Sequence, residues 1–124
     1  MRLFRFIGEK EYNSLLCGEK QINNFDWSMK YETTSKGICF FANNRTNDID
    51  HIVEVALEEW GYAGIVKEYA IVEVEVDKAR KAKGFYASGF HTEYNLFEYD
   101  ISCVKNVYRI HGKYWSRQIE KINF

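Results

Sequence analysis

Hydrophobic and polar positions change period several times along the chain, and each change marks an element. Arg2 to Ile7 sets Leu3 between charged Arg2 and Arg5 and adds Phe4, Phe6 and Ile7, which predicts a strand that ends at Gly8. Glu9 to Cys17 brings Tyr12, Leu15 and Leu16 to i, i+3, i+4 spacing, a short helix with Glu9 and Glu11 in its first turn and Gly18 as its stop. Gln21-Ile22-Asn23-Asn24 reads as a short strand closed by an Asn pair. Residues 25–36 show no period. Gly37 to Ala42 is a continuous apolar run of strand length, the pattern of a strand covered on both faces.

The clearest helix follows. Ile49, Ile52, Val53, Ala56, Leu57 and Trp60 recur at i, i+3, i+4, i+7, i+8 and i+11, with Asp48 as cap, Glu54, Glu58 and Glu59 on the wet side, and Gly61 beyond the end. Tyr69 to Val76 then alternates, Ala70, Val72, Val74 and Val76 on one face, Ile71, Glu73 and Glu75 on the other, with the two glutamates expected in solvent. Gly84 to Ala87 and Lys105 to Ile110 read as strands, Tyr94 to Tyr99 is mixed, and Trp115 to Phe124 fits either a short helix or a closing strand. The order predicts one α+β domain over residues 1–124: a mixed, mostly antiparallel sheet with two helices packed to one side.

Composition narrows the function classes. The apolar fraction of 46% and aromatic fraction of 17% suffice for one core, and a net charge of −1 removes the low-hydrophobicity, high-charge signature of disorder. The same balance gives no basic footprint for nucleic acid. The densest basic stretch, Lys78 to Lys83, reads as a solvated loop. Cys17, Cys39 and Cys103 are odd in number and widely spaced, so they read as buried free thiols rather than a disulfide frame or zinc knuckle. His51, His91 and His111 have no metal-ligand spacing, and no metal is expected. Neither a leader-like apolar stretch nor a run near the ~20 residues of a membrane span occurs, which points to a cytoplasmic protein. Nucleophile elbows and glycine phosphate loops are missing as well.

What remains is sparse: Arg5 in the first strand, Thr33-Thr34-Ser35 just before the Gly37–Ala42 strand, and glutamates in the later third. Leu3-Phe4-Arg5-Phe6-Ile7, a short helix, then Thr34-Ser35-Lys36-Gly37-Ile38-Cys39-Phe40-Phe41 resembles the N-terminal half of small ADP-ribosyltransferase-fold proteins. The resemblance spans residues 3–42, with some support from 84–109. That family carries an arginine on its first strand, a Ser/Thr cluster at a middle strand and a glutamate on a later one. Phages use compact members against host defences, including as anti-CRISPR enzymes, and the absence of proline fits an AT-rich bacterial or phage genome.

The resemblance implies NAD as co-substrate. Arg5 would hold a phosphate or ribose oxygen through its planar fork, Thr34 or Ser35 would position the sugar, and Phe40, Phe41 and Tyr86 would wall the nicotinamide. A carboxylate would stabilise the oxocarbenium-like state as the nicotinamide–ribose bond breaks. Glu98 is the first choice for that role, on its late position and aromatic setting. Glu75, in the Glu73-Val74-Glu75 pair, and Glu93 are the alternatives. The hydroxyl cluster is Thr-Thr-Ser where the family has Ser-Thr-Ser. Competing readings are a non-catalytic inhibitor that docks a protein partner through aromatic and acidic residues, and a module that sequesters a nucleotide-derived signal. Exposed apolar residues could also serve a homo-oligomer.

Overall fold

Along the first strand Leu3, Arg5 and Ile7 leave one side of the backbone, and Arg2, Phe4 and Phe6 leave the other. With apolar groups on both sides, this strand is satisfied only between two covering layers. That is its position in the computed structural model, which describes residues 1–22, 38–60, 69–81, 91–111 and 118–123. The elements are β1 (Arg2–Ile7), α1 (Glu9–Leu16), β2 (Gln21–Ile22), β3 (Ile38–Asn43), α2 (Ile49–Trp60), β4 (Ala70–Glu75), β5 (Arg80–Lys81), β6 (His91–Leu96), β7 (Glu98–Tyr99), a 3-10 turn (Ile101–Cys103), β8 (Val104–His111) and β9 (Gln118–Ile122). Seven strands form one sheet in the order β5-β6-β3-β1-β4-β8-β9, and β2 and β7 form a small second sheet. Every pairing among the described strands is antiparallel. The chain is therefore an α+β protein with an antiparallel sheet and, among the described residues, two α-helices.

The helices lie on opposite faces, not on one side as the element order predicts. Leu15 of α1 joins Leu3, Ile7, Val72, Val74 and Val107 in one buried cluster, over which Tyr99 of the small sheet also packs. Ile52 and Val53 of α2 join Phe4, Phe41 and Ile71 in the other. Element order cannot distinguish these arrangements, whereas the packing against the two faces of β1 and β4 does. It also corrects the expectation for Glu73: opposite Phe4 in register and beneath the α2 layer, it is 2% exposed and pairs with Arg2 at 3.1 Å. Glu75, at the strand end, is solvent-facing and meets the N-terminal amine at 3.1 Å.

Local chemistry ends the first helix and begins the second. The Gly18 amide bonds the Leu15 carbonyl at 2.9 Å and the Glu19 amide bonds Ser14 at 3.0 Å, a Schellman closure of α1 that needs the positive φ of 83° at Gly18. Cys17 sits on this turn and is exposed, contrary to the expected burial, while Cys39 and Cys103 are half-buried. Asp48 caps α2 by accepting the Asp50 amide at 3.2 Å. Of the expected closing element Trp115 to Phe124, Gln118–Ile122 forms a strand, β9. Arg80 and Lys81, expected in a loop, form the edge strand β5 against Asn95 and Tyr94 of β6, and charge at a sheet edge discourages pairing with another chain. The irregular stretch 25–36 and the strand expected at 84–87 lie outside the described residues. No helix among the described residues is long and apolar enough to cross a membrane.

Candidate functional site

The ladder is shortest beside the middle of the sheet. β1 and β4 stay in register over six residue pairs and β3 and β6 over six, but β1 meets β3 at the single pair Phe4–Phe41. Backbone groups on either side of that pair need other partners. Arg5 supplies one: its Nη1 donates to the Cys39 carbonyl at 3.2 Å, so a side chain replaces a missing ladder bond.

Arg5 lies on the α1 face and is 7% exposed. Its Nε and Nη2 donate to the two oxygens of Glu11 at 2.9 and 2.8 Å, a bidentate fork, and the Tyr99 hydroxyl donates to the same carboxylate. Phe40 closes the group edge-on to Tyr99 at 5.0 Å. Burial opposes the charge on Arg5, and the bonded Glu11 carboxylate more than offsets it, so the guanidinium stays charged. Burial, then the adjoining Glu11 charge, pushes the Tyr99 phenol well above its ordinary range, so it remains a donor. This cluster ties β1, β3, α1 and β7 together. Arg5 is a buried structural ion pair rather than a guanidinium standing open to solvent.

The other polar group lies on the α2 face, one strand further out. Glu93 of β6 is opposite Phe41, and Asn95 is opposite Cys39. Because the side-chain period of a strand is two residues, all four side chains share a face. Phe6 stacks on Phe41 with ring centres 5.8 Å apart, which gives the polar trio an aromatic border. Partial burial pushes the Glu93 carboxyl up to about 7, so near neutral pH it exchanges its proton readily. Burial, and then the neighbouring Glu93 charge, raises the Cys39 thiol, which is therefore a poor nucleophile. The Asn95 amide nitrogen approaches Cys39 Sγ at 3.5 Å, and Asn95 Oδ1 is buried with no hydrogen-bond partner among the described residues.

A raised carboxyl has a measurable consequence for stability. Between pH 4.5 and 7 the unfolded chain has released a proton that folded Glu93 retains, so stability falls as pH rises through that window and levels off above it. Allowing for its partial exposure, the loss is roughly 1–2 kcal/mol. Glu93→Gln is expected to remove this slope, as read by urea unfolding at about pH 5 and about pH 8.

The residues expected from sequence are only partly assembled. Arg5 and Phe40 meet on the α1 face; Phe41 lies on the other, in the core beneath α2. Glu98 is solvent-facing on the small sheet, paired with Lys20 at 3.3 Å. Glu75 is likewise exposed, so of the three candidate glutamates Glu93 is the one that is partly buried. Thr34, Ser35 and Tyr86 lie outside the described residues. Glu11 and Asn95 were not singled out: one reads as an ordinary first-turn acid, the other as a polar residue in a mixed strand. Among the described residues no group of three His, Cys, Asp or Glu side chains could hold a metal ion. Comparison with protein-family models, curated proteins and solved structures returned no match.

Proposed function

We propose that this chain is an NAD-dependent mono-ADP-ribosyltransferase acting on a partner macromolecule, with Glu93 rather than Glu98 as its carboxylate. One observation carries the reading: β1, β3 and β6 are consecutive neighbours in the sheet. These are the strand of Arg5, the strand that Thr34 and Ser35 precede, and the strand of Glu93. The arginine–hydroxyl–glutamate order of the resemblance thus falls on three adjoining strands, provided the glutamate is Glu93; Arg5 leaves the sheet on the opposite face, so any part it plays is through the backbone of β3. Its half-buried carboxyl and aromatic border suit a group that must meet a cationic sugar out of bulk water.

In the reaction, the bond from the ribose anomeric carbon to the nicotinamide nitrogen breaks, and nicotinamide leaves neutral with the bonding pair. Ionised Glu93 stabilises the oxocarbenium-like ribose. A lone pair of the acceptor forms the new bond, and the acceptor's proton passes to Glu93 or to water. Arg5 contributes by holding β1 against β3 through the Cys39 carbonyl, and so fixes the neighbouring strands. The anti-defence role carried by the resemblance belongs to the same reading, as the identity of the macromolecule modified.

The test is a calorimetric titration of NAD into the purified protein, combined with an assay of nicotinamide release with water as acceptor. Micromolar binding and slow release support the proposal. Neither heat nor release at millimolar NAD would overturn it.

A second reading is favoured by a different feature. Phe97 is 70% exposed at the corner between β6 and β7, and Ile22 of the paired strand is 54% exposed. Exposed aromatic residues of this kind anchor protein interfaces. A non-catalytic inhibitor docking through this corner would be inert to NAD, and its partner binding would be lost in Phe97→Ser but kept in Glu93→Gln.

A further inference from the structure

We infer that Asn95 is the specificity-determining residue of the nucleotide site, its side-chain amide reading the carboxamide of the nicotinamide ring. The inference rests on the ADP-ribosyl transfer reading and adds to it the group that recognises the leaving base.

Asn95 is 4% exposed, and its Oδ1 has no partner among the described residues, while its nitrogen makes one long contact to Cys39 Sγ at 3.5 Å. Turning the amide over does not remove the problem. Oδ1 could then accept the Cys39 thiol proton, and the nitrogen with its two donors would be orphaned instead. A buried amide atom left unpaired costs free energy that an apolar side chain would not. A strand position this deeply buried, opposite Cys39 and diagonal to Phe41, would ordinarily carry such an apolar residue, so the amide requires another explanation.

A primary carboxamide is the ligand chemistry that fits. It presents an N–H₂ donor and a C=O acceptor side by side, and so complements Asn95 in either orientation. The spacing also agrees. Glu93 and Asn95 are two residues apart on one strand face, roughly 6–7 Å along the strand. From the anomeric carbon of an N-ribosyl nicotinamide to its carboxamide is the span of one aromatic ring plus the two bonds that flank it. Glu93 at the sugar and Asn95 at the carboxamide can therefore engage one ligand together, with the half-buried Phe6 ring on the same face.

The probes are NAD, its deamidated analogue in which a carboxylate replaces the carboxamide, and ADP-ribose, which lacks the base altogether. Wild-type protein is expected to bind NAD about tenfold more tightly than the deamidated analogue, the factor that one ordinary hydrogen bond carries. Asn95→Leu is expected to lose that discrimination and leave ADP-ribose affinity unchanged. Its melting temperature should equal or exceed that of wild type, because the orphaned polar atom is gone; a structural amide would give a lower one. Equal binding of the two dinucleotides by wild type, or discrimination that survives in Asn95→Leu, would overturn the role of Asn95 while leaving the transferase reading intact. Wild-type protein that binds neither NAD nor ADP-ribose would bring down both.

Discussion

Glu93→Gln is expected to lower NAD-dependent transfer and nicotinamide release by about 10²–10³-fold, the loss typical when one electrostatic stabiliser is removed from a transition state. Gln keeps the shape and polarity of the protonated carboxyl, so the variant should match wild type in stability at about pH 5. Wild-type turnover should rise with pH through about 7, where the carboxyl loses its proton, and the residual activity of the variant should lack that rise. Glu98→Gln is the control. Glu98 lies in solvent beside Lys20, and its substitution should leave the rate within twofold of wild type. A large loss in Glu98→Gln with none in Glu93→Gln would return the catalytic role to Glu98.

Arg5→Ala is expected to destabilise the fold by about 3–5 kcal/mol, the range for breaking a buried pair from one side. The substitution would strip Glu11 of its fork, leave Tyr99 bonded to an uncompensated, part-buried carboxylate and remove the donor to the Cys39 carbonyl at the narrow β1–β3 junction. Against a typical total of 5–15 kcal/mol, that is enough to populate the unfolded state. Replacing both partners, Arg5→Met with Glu11→Leu, should recover much of the loss, because apolar groups of similar volume demand no partner. Urea unfolding of the single and double variants measures this directly; a loss below about 1 kcal/mol for Arg5→Ala would show that the buried pair is not what holds the junction. It follows that failure of Arg5→Ala to bind NAD would say little about an NAD contact unless the variant is first shown to be folded.

Much of the fold was legible in local pattern. The bounds of β1, α1, β3, α2 and β4 follow from periodicity and caps, because Gly18, Asp48 and the alternating valines of β4 act through neighbours in sequence. Glu93 was only one of three candidates, since nothing near it in sequence distinguishes it from Glu98 or Glu75. What separates them is long-range: β6 pairs with β3 from more than fifty positions away, which half-buries Glu93, whereas Glu98 falls on a two-residue strand at the surface.

The sequence by itself determined that this chain is an α+β protein, where most of its elements begin and end, and which residue types its chemistry must draw on. Tertiary structure alone decided that the helices cover opposite faces, that Glu73 and Arg5 are enclosed by ion pairs, and that Glu93, Asn95 and Cys39 adjoin. The physical reason is that periodicity and capping are properties of consecutive residues, while burial and the shift of a carboxyl depend on which distant strand lies alongside.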